Sequence, residues 1–327
     1  MIDNAIALIV TLPGSALRVF VHEDTTYGFF YGVRDKVLGR DHLEFRVLAF
    51  VLGLDEIVNL WIGLLQIHCF IITYNQIMIF DGRAFAKEIE AALRLRLRSG
   101  VRVPKIVSVV VGDDPASVLY TKLKQQAAER VRIEFEIRHD LENLEMIGKR
   151  EDVDGVMVQL PLPEGLRGET PKLLAAIPLA KDVDGLRWEE SHILPATVRA
   201  VLAIVDKIAM GKTKFVVLGA RGVVGRPLVY FLRERGVEVL EVEWDTPEPT
   251  RRVLVGDVVI SCIGKVGCVT GEMVKEGAVV IDVGSPHGDM TQEVYDKASV
   301  AVEVPGGVGP VTIACLLQNA CAIIPEL

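Results

Sequence analysis

The sequence predicts an α/β fold with two domains behind an atypical N-terminal segment, and three observations carry that prediction. From residue 78 onward, short Val- and Ile-rich runs alternate with amphipathic stretches, the signature of strands and helices taken in turn. Those runs are apolar almost throughout, which suits parallel strands covered on both faces. A strand running into a glycine-rich turn and then a helix, KFVVLGARGVVGRPLVYFLRERG, opens a second strand-helix series. At 327 residues the chain has about twice the usual length of one domain.

Taken in order, helical periodicity begins after Asp81-Gly82, and strands are expected at 105–111, 133–137 and 153–159. Between the first two, Asp114 reads as an N-cap and Pro115 as a first helical residue, a strong helix start. After the third, Leu160-Pro161-Leu162-Pro163 cannot continue a sheet ladder. A division falls at 191–197, followed by strands at 214–218, 237–242, 257–261, 278–283 and 299–302. The last helix is expected to start near Val311, with Pro310 opening it.

Composition excludes several function classes. With 36 basic against 44 acidic residues the net charge is -8, and no Lys/Arg cluster offers the footprint that nucleic acid requires. Five cysteines without a C-x-x-C pair read as reduced thiols, hence a cytoplasmic protein by default. The six histidines lack metal-ligand spacing, so no metal site is expected. Residues 1–77 differ from the rest, since half of the twenty aromatics lie there. Their uncharged stretch 57–73 is short for a membrane span and holds Asn59, Gln66 and His68, so no membrane partner is expected. Asp3 stands where a signal peptide would be basic.

Several segments can carry chemistry. In the glycine-rich turn, Gly219, Gly222 and Gly225 let the backbone turn tightly and approach a pyrophosphate at the helix N-terminus. The spacing is G-x-x-G-x-x-G, and a tight connection alone would also explain it. Glu243, about twenty residues on, suits ribose hydroxyls, whereas Arg221 suits an adenosine 2′-phosphate; charge sign alone leaves NAD and NADP both open. Ser117, Tyr120 and Lys124 share one helical face, which presents a hydroxyl, a ring and an amine to one cleft or merely packs a surface. Gln159 sits at a strand's carboxyl end, where ligands gather in open α/β sheets. Asp182 and Asp184, two apart, would point to the same side of an extended segment. Pro305, Gly306 and Gly307 form a loop with backbone freedom that only glycine has.

Together and in this order, these segments closely resemble the bifunctional methylenetetrahydrofolate dehydrogenase/cyclohydrolase family. The resemblance covers residues 78–327 and rests on IFDGRAFAKEI, VGDDPASVLYTKLK, DGVMVQLPLP, KDVDGL, LGARGVVGRP, VISCIGKVGCVTGEMVKEGAVVIDVG and PGGVGPVTIACLLQN. It implies a catalytic domain at 78–195 and a Rossmann-type NAD(P)-binding domain at 196–310. Helix 311–327 would return to the first domain, with folate in the cleft between them. It also implies a homodimer, tetrahydrofolate derivatives as substrates, NADP as cofactor with NAD as the alternative, and a place in one-carbon metabolism. By motif, Lys124 is the catalytic amine, Gln159 tunes it, Tyr120 stacks on folate beside Ser117, and Asp184 binds the pterin. Pro305, Gly306 and Gly307 border the folate site. Gly219, Ala220 and Arg221 take the cofactor triplet, with Gly222 and Gly225 completing the turn, and Ser285 adds a further cofactor contact.

The chain departs from the family at defined places. Arg221 stands where the triplet usually ends in Ser, and Glu243-Trp244 replaces the usual His-Ser. P-C-T-P-x-G reads Pro195-Ala196-Thr197-Val198-Arg199-Ala200, and the stretches 139–153 and 185–194 are shorter than usual. Residues 1–77 have no counterpart, so Met78 is expected to be the true start. Two other readings stay open: a different two-domain NAD(P)-dependent dehydrogenase, or a folate- or nucleotide-binding module without turnover.

Overall fold

The computed structural model describes residues 6–12, 15–21, 28–31, 45–48, 77–98, 102–139, 141, 144–243 and 245–324. The chain divides into two compact units, Met1–Gln76 and Ile77–Leu327. In the first, β1 (Ile6–Leu12) pairs antiparallel with β2 (Ser15–Val21), and β3 (Gly28–Tyr31) pairs antiparallel with β4 (Phe45–Leu48). The uncharged stretch 57–73 lies outside the described residues.

The second unit opens with a short strand β5 (Met78–Ile79) and helix α1 (Gly82–Arg98). Three strands then alternate with helices: β6 (Lys105–Val109), α2 (Pro115–Val131), β7 (Glu134–Arg138), α3 (Leu144–Lys149) and β8 (Gly155–Val158). They form a parallel sheet of order β7-β6-β8. Helices α4 (Thr170–Ala175) and α5 (Trp188–Ser191) lead to α6 (Ala196–Ile208) and the second series. That series runs β9 (Lys214–Leu218), α7 (Gly225–Glu234), β10 (Glu238–Val242), α8 (Pro249–Val253) and β11 (Val258–Ser261). It ends with β12 (Val279–Asp282), α9 (Gln292–Lys297), β13 (Val300–Val302) and α10 (Val308–Ile323).

All eight strands read from the sequence are present, each within two residues of its expected limits, because buried parallel strands are near-continuous apolar runs. The six-stranded sheet has the order β10-β9-β11-β12-β13-β5, with every pair parallel. Connections leave β9 toward β10 and then cross back to β11, so the topological switch point lies between β9 and β11. Ligands of doubly wound sheets bind outside the strand ends at that point.

One strand was not foreseen from the sequence, and one element limit is corrected. Residues 78–79 belong to the six-stranded sheet, held by Met78 N–H on Ser299 O at 3.1 Å and Phe80 N–H on Ala301 O at 2.8 Å. A two-residue strand leaves no alternation to read. Helix α10 starts at Val308, so Pro310 is its third residue and not its first. A proline is tolerated there because first-turn N–H groups have no intrahelical acceptor.

Helix α10 packs against α1 and α6, and also touches α2. Its buried Asn319 donates from Nδ2 to Val183 O and to Leu194 O, both at 2.9 Å, tying the end of the chain to the segment that leads into α6. The main core, which includes Leu93, Ile106, Leu202, Phe215 and Leu316, runs without a break through both halves of the unit.

Candidate active site

Helix α2 begins where the sequence says it should. Asp114 accepts the Ser117 N–H at 2.8 Å and Pro115 takes the first helical position. From that start the helical period sets Ser117, Thr121 and Lys124 on the inner face, where Ser117 is 4% and Lys124 7% exposed. Thr121 Oγ1 donates to Ser117 O at 2.9 Å. Ser117 Oγ is buried and has no hydrogen-bond partner among the described residues.

Lys124 Nζ donates to Gln159 Oε1 at 2.9 Å, with Met157 Sδ at 4.0 Å. Gln159 directly follows β8 and keeps its N–H on the ladder, bonded to Val109 O at 2.8 Å. Its Nε2 donates to Leu160 O at 2.7 Å, which turns the amide so that Oε1 faces the amine. Burial lowers the Lys124 pKa from its ordinary value, because the ammonium loses its hydration; the negative charge of Asp184 opposes part of that shift.

The two carboxylates of KDVDG differ in burial, and the condition for a shared side, an extended segment, is not met. The segment is not extended: residue 182 makes a bridge to Val156 and the chain then turns. Asp182 is buried and accepts Gly185 N–H at 3.0 Å and Arg187 N–H at 2.9 Å, while Asp184 remains half-buried within electrostatic reach of Lys124.

Across the cleft, Ser285 Oγ donates to Tyr120 Oη at 3.2 Å, joining residues 165 positions apart. The C-terminal loop closes the same region. A Cβ on Gly309 would lie 3.0 Å from Tyr120 Oη, and one on Gly82 only 1.9 Å from Gly307 O. Gly306 has φ +115 and faces the Arg83 guanidinium. An open recess of about 490 Å³ lies between Leu160, Pro161 and Leu162 on one side and Val223 of the glycine-rich turn on the other. The structure thus brings together Ser117, Tyr120, Lys124, Gln159, Asp184, Ser285 and the loop of Pro305, Gly306 and Gly307.

The second constellation stands at the switch point. Gly219 has φ +72, and a Cβ there would lie 2.7 Å from Cys262 O. One on Gly225 would lie 2.1 Å from Gly219 O, while Gly222 donates its N–H to Gly219 O at 3.0 Å. The glycines are thus required by close approach of the turn to its own neighbouring backbone, and the turn leads into the N-terminus of α7, the kind of place where a pyrophosphate binds. Ala220 is buried. Arg221 points outward and pairs with Asp245 at 3.3 Å. Glu243 Oε1 accepts the Arg221 N–H at 2.5 Å. Trp244, which the sequence singles out beside Glu243, lies outside the described residues.

One buried cluster escaped the sequence reading. Asp289 Oδ2 accepts Ser261 Oγ–H at 2.7 Å, Ile263 N–H at 2.9 Å and Gly264 N–H at 3.1 Å. Asp282 accepts Tyr295 Oη–H at 2.7 Å together with the N–H groups of Gly284, Asp289 and Met290. These carboxylates brace the loops after β11 and β12, including the one that carries Ser285. The signal available was an aspartate inside the apolar run VVIDV, a charge that burial permits only when it is satisfied.

Residues 80–184 match the sequence model of the tetrahydrofolate dehydrogenase/cyclohydrolase catalytic domain, and residues 195–326 that of the same family's NAD(P)-binding domain. A bifunctional protein FolD from Methanospirillum hungatei is 34% identical over 272 residues, spanning 75% of this chain and 97% of that protein. Among solved structures, the methylenetetrahydrofolate dehydrogenase-cyclohydrolase of Trypanosoma brucei, complexed with NADP cofactor and inhibitor, is 31% identical with TM-score 0.68, covering 76% of this chain and 97% of that one. The bifunctional 5,10-methylenetetrahydrofolate dehydrogenase/cyclohydrolase of Thermoplasma acidophilum is 27% identical with TM-score 0.69, covering 75% and 97%.

Proposed function

Because this chain belongs to the tetrahydrofolate dehydrogenase/cyclohydrolase family, we propose that its cleft oxidises 5,10-methylenetetrahydrofolate to the methenyl form and then hydrolyses that to 10-formyltetrahydrofolate. The observation that carries this reading is a lysine amine held in a buried site by Gln159, on the helix whose Tyr120 meets Ser285. A lysine without a carboxylate partner is rarely buried for stability alone.

In the first step the protein's contribution is position. Tyr120 offers a ring and Asp184 a carboxylate to a planar, nitrogen-rich pterin, which fixes the methylene carbon relative to the glycine-rich turn. NADP, when bound, supplies the hydride acceptor. The residues that hold it are Gly219, Ala220, Arg221, Gly222 and Gly225 of the turn, with Glu243 and Ser285 beside them.

In the second step water adds to the methenyl carbon and a proton must leave. Lys124 takes that proton: desolvation has lowered its affinity for one, so the neutral amine is accessible closer to physiological pH than for an exposed lysine. Gln159 keeps Nζ in place through the transfer. Lys124 then returns the proton to the ring nitrogen as its bond to carbon breaks, and the hydroxyl proton is released to solvent as the C=O forms, leaving a formyl group.

The active species is a cytoplasmic homodimer, and the product serves one-carbon metabolism that feeds purine, histidine and methionine biosynthesis. Light scattering on the purified chain tests the dimer. For the chemistry, methenyl formation and loss are followed with 5,10-methylenetetrahydrofolate and NADP. Formation without loss in Lys124→Met supports the assignment, and undiminished hydrolysis in that variant overturns it.

A further inference from the structure

The cofactor end of the glycine-rich turn carries more negative than positive charge. Glu243 is held from two sides: Oε1 accepts the Arg221 amide at 2.5 Å, and the Glu243 N–H donates to Thr246 Oγ1 at 2.7 Å. The turn closes with Thr246 N–H on Glu243 O at 3.0 Å, which sets Asp245 beside the Arg221 guanidinium at 3.3 Å. Among the described residues of this turn, the Arg221 guanidinium is engaged by one carboxylate, Asp245, while a second carboxylate, Glu243, sits on the Arg221 backbone amide.

At this place in a doubly wound sheet, directly after the second strand and against the tip of the first turn, the adenosine ribose of a dinucleotide lies. A carboxylate has acceptor sites for a ribose diol and repels a 2′-phosphate, whereas a guanidinium does the reverse. Arg221 must leave Asp245 to meet a phosphate, and the phosphate must then stand next to Glu243. Resting on the function proposed above, we propose that Glu243 is the specificity-determining residue of the cofactor site: it admits NAD as a working cofactor alongside NADP and restrains the preference for NADP.

The test is Glu243→Gln in the full chain. The amide keeps an oxygen acceptor for the Arg221 N–H and removes only the charge. Dissociation constants of NAD and NADP are measured by calorimetry without folate, and kcat/KM with each cofactor is measured in the dehydrogenase assay. The wild-type chain is expected to bind and turn over both. In Glu243→Gln the NADP-to-NAD ratio of affinities should rise by about tenfold, the change that about 1.4 kcal/mol produces, and 2′,5′-ADP should tighten while 5′-ADP does not. Arg221→Ala should lower the ratio by weakening NADP alone. A ratio that stays within about twofold in Glu243→Gln, well short of that tenfold change, overturns the proposal, as does a wild-type chain that does not bind NAD. Loss of folate turnover with the predicted shift in binding would sink the proposed reaction and leave the role of Glu243 standing.

Discussion

Lys124 and Arg221 are basic residues of the same unit, one on helix α2 and one in the turn after β9, and they meet opposite treatment from solvent. Lys124 is 7% exposed and its nearest polar partner is a neutral amide. Arg221 and its carboxylate partner Asp245 are each 73% exposed. Burial makes the first site sensitive to every neighbouring charge, because little water screens it. Water and salt make the second a surface ion pair worth roughly 0–1 kcal/mol. The comparison teaches where function resides in each half. On the function proposed above, the catalytic half would work through one tuned proton, whereas the cofactor half would work through the sum of weak charges on a bare backbone turn.

The sharpest break of that contrast is Lys124→Met, which removes the tuned proton. Positioned proton transfer contributes about 10²- to 10⁴-fold, so hydrolysis of the methenyl substrate should fall by that order. NADP affinity, measured by calorimetry on the same protein, should be unchanged. Asn319→Leu tests whether α10 holds the catalytic segment, since it strips two carbonyls of their donor. Each buried polar group left unpaired costs about 1–3 kcal/mol, which thermal unfolding would register as a clear fall in Tm.

A subtler change sharpens the account of Lys124. Desolvation lowers its pKa and Asp184 raises it, so Asp184→Asn removes the opposing influence. The inflection assigned to Lys124 in the pH profile of methenyl hydrolysis at saturating substrate should move to lower pH. An inflection that does not move would mean that Asp184 acts on the substrate and not on the amine. Smallest of all should be Asp245→Asn on the surface pair, with a stability change within about 0.5 kcal/mol in denaturant unfolding and none at high salt.

Much of this was legible in the chain alone, and particular residues show why. Asp114 and Pro115 announce α2, and a fixed helical period then obliges Ser117, Tyr120 and Lys124 to share a side. Val- and Ile-rich runs announce the eight longer strands. Strand β5 was not legible, because two residues in a ladder owe their state to β13 and not to their own pattern. Asp182 was misjudged together with Asp184: periodicity assumed an extended segment, and the bridge to Val156 followed by a turn broke that assumption. The Asp282 and Asp289 cluster stayed hidden because nothing local tells a buried, satisfied carboxylate from one in a hydrated turn.

By itself the sequence determined the α/β order, the start of α2, the bare turn at Gly219, Gly222 and Gly225, and the family to which the motifs belong. These are properties of neighbours along the chain, set by steric limits on the backbone and by helix and strand periods. The tertiary structure alone decided that Lys124 meets Gln159, that Tyr120 meets Ser285, and that Arg221 is shared between Glu243 and Asp245. Such contacts join distant segments, and the charge state of a buried amine depends on the water excluded by all of them together.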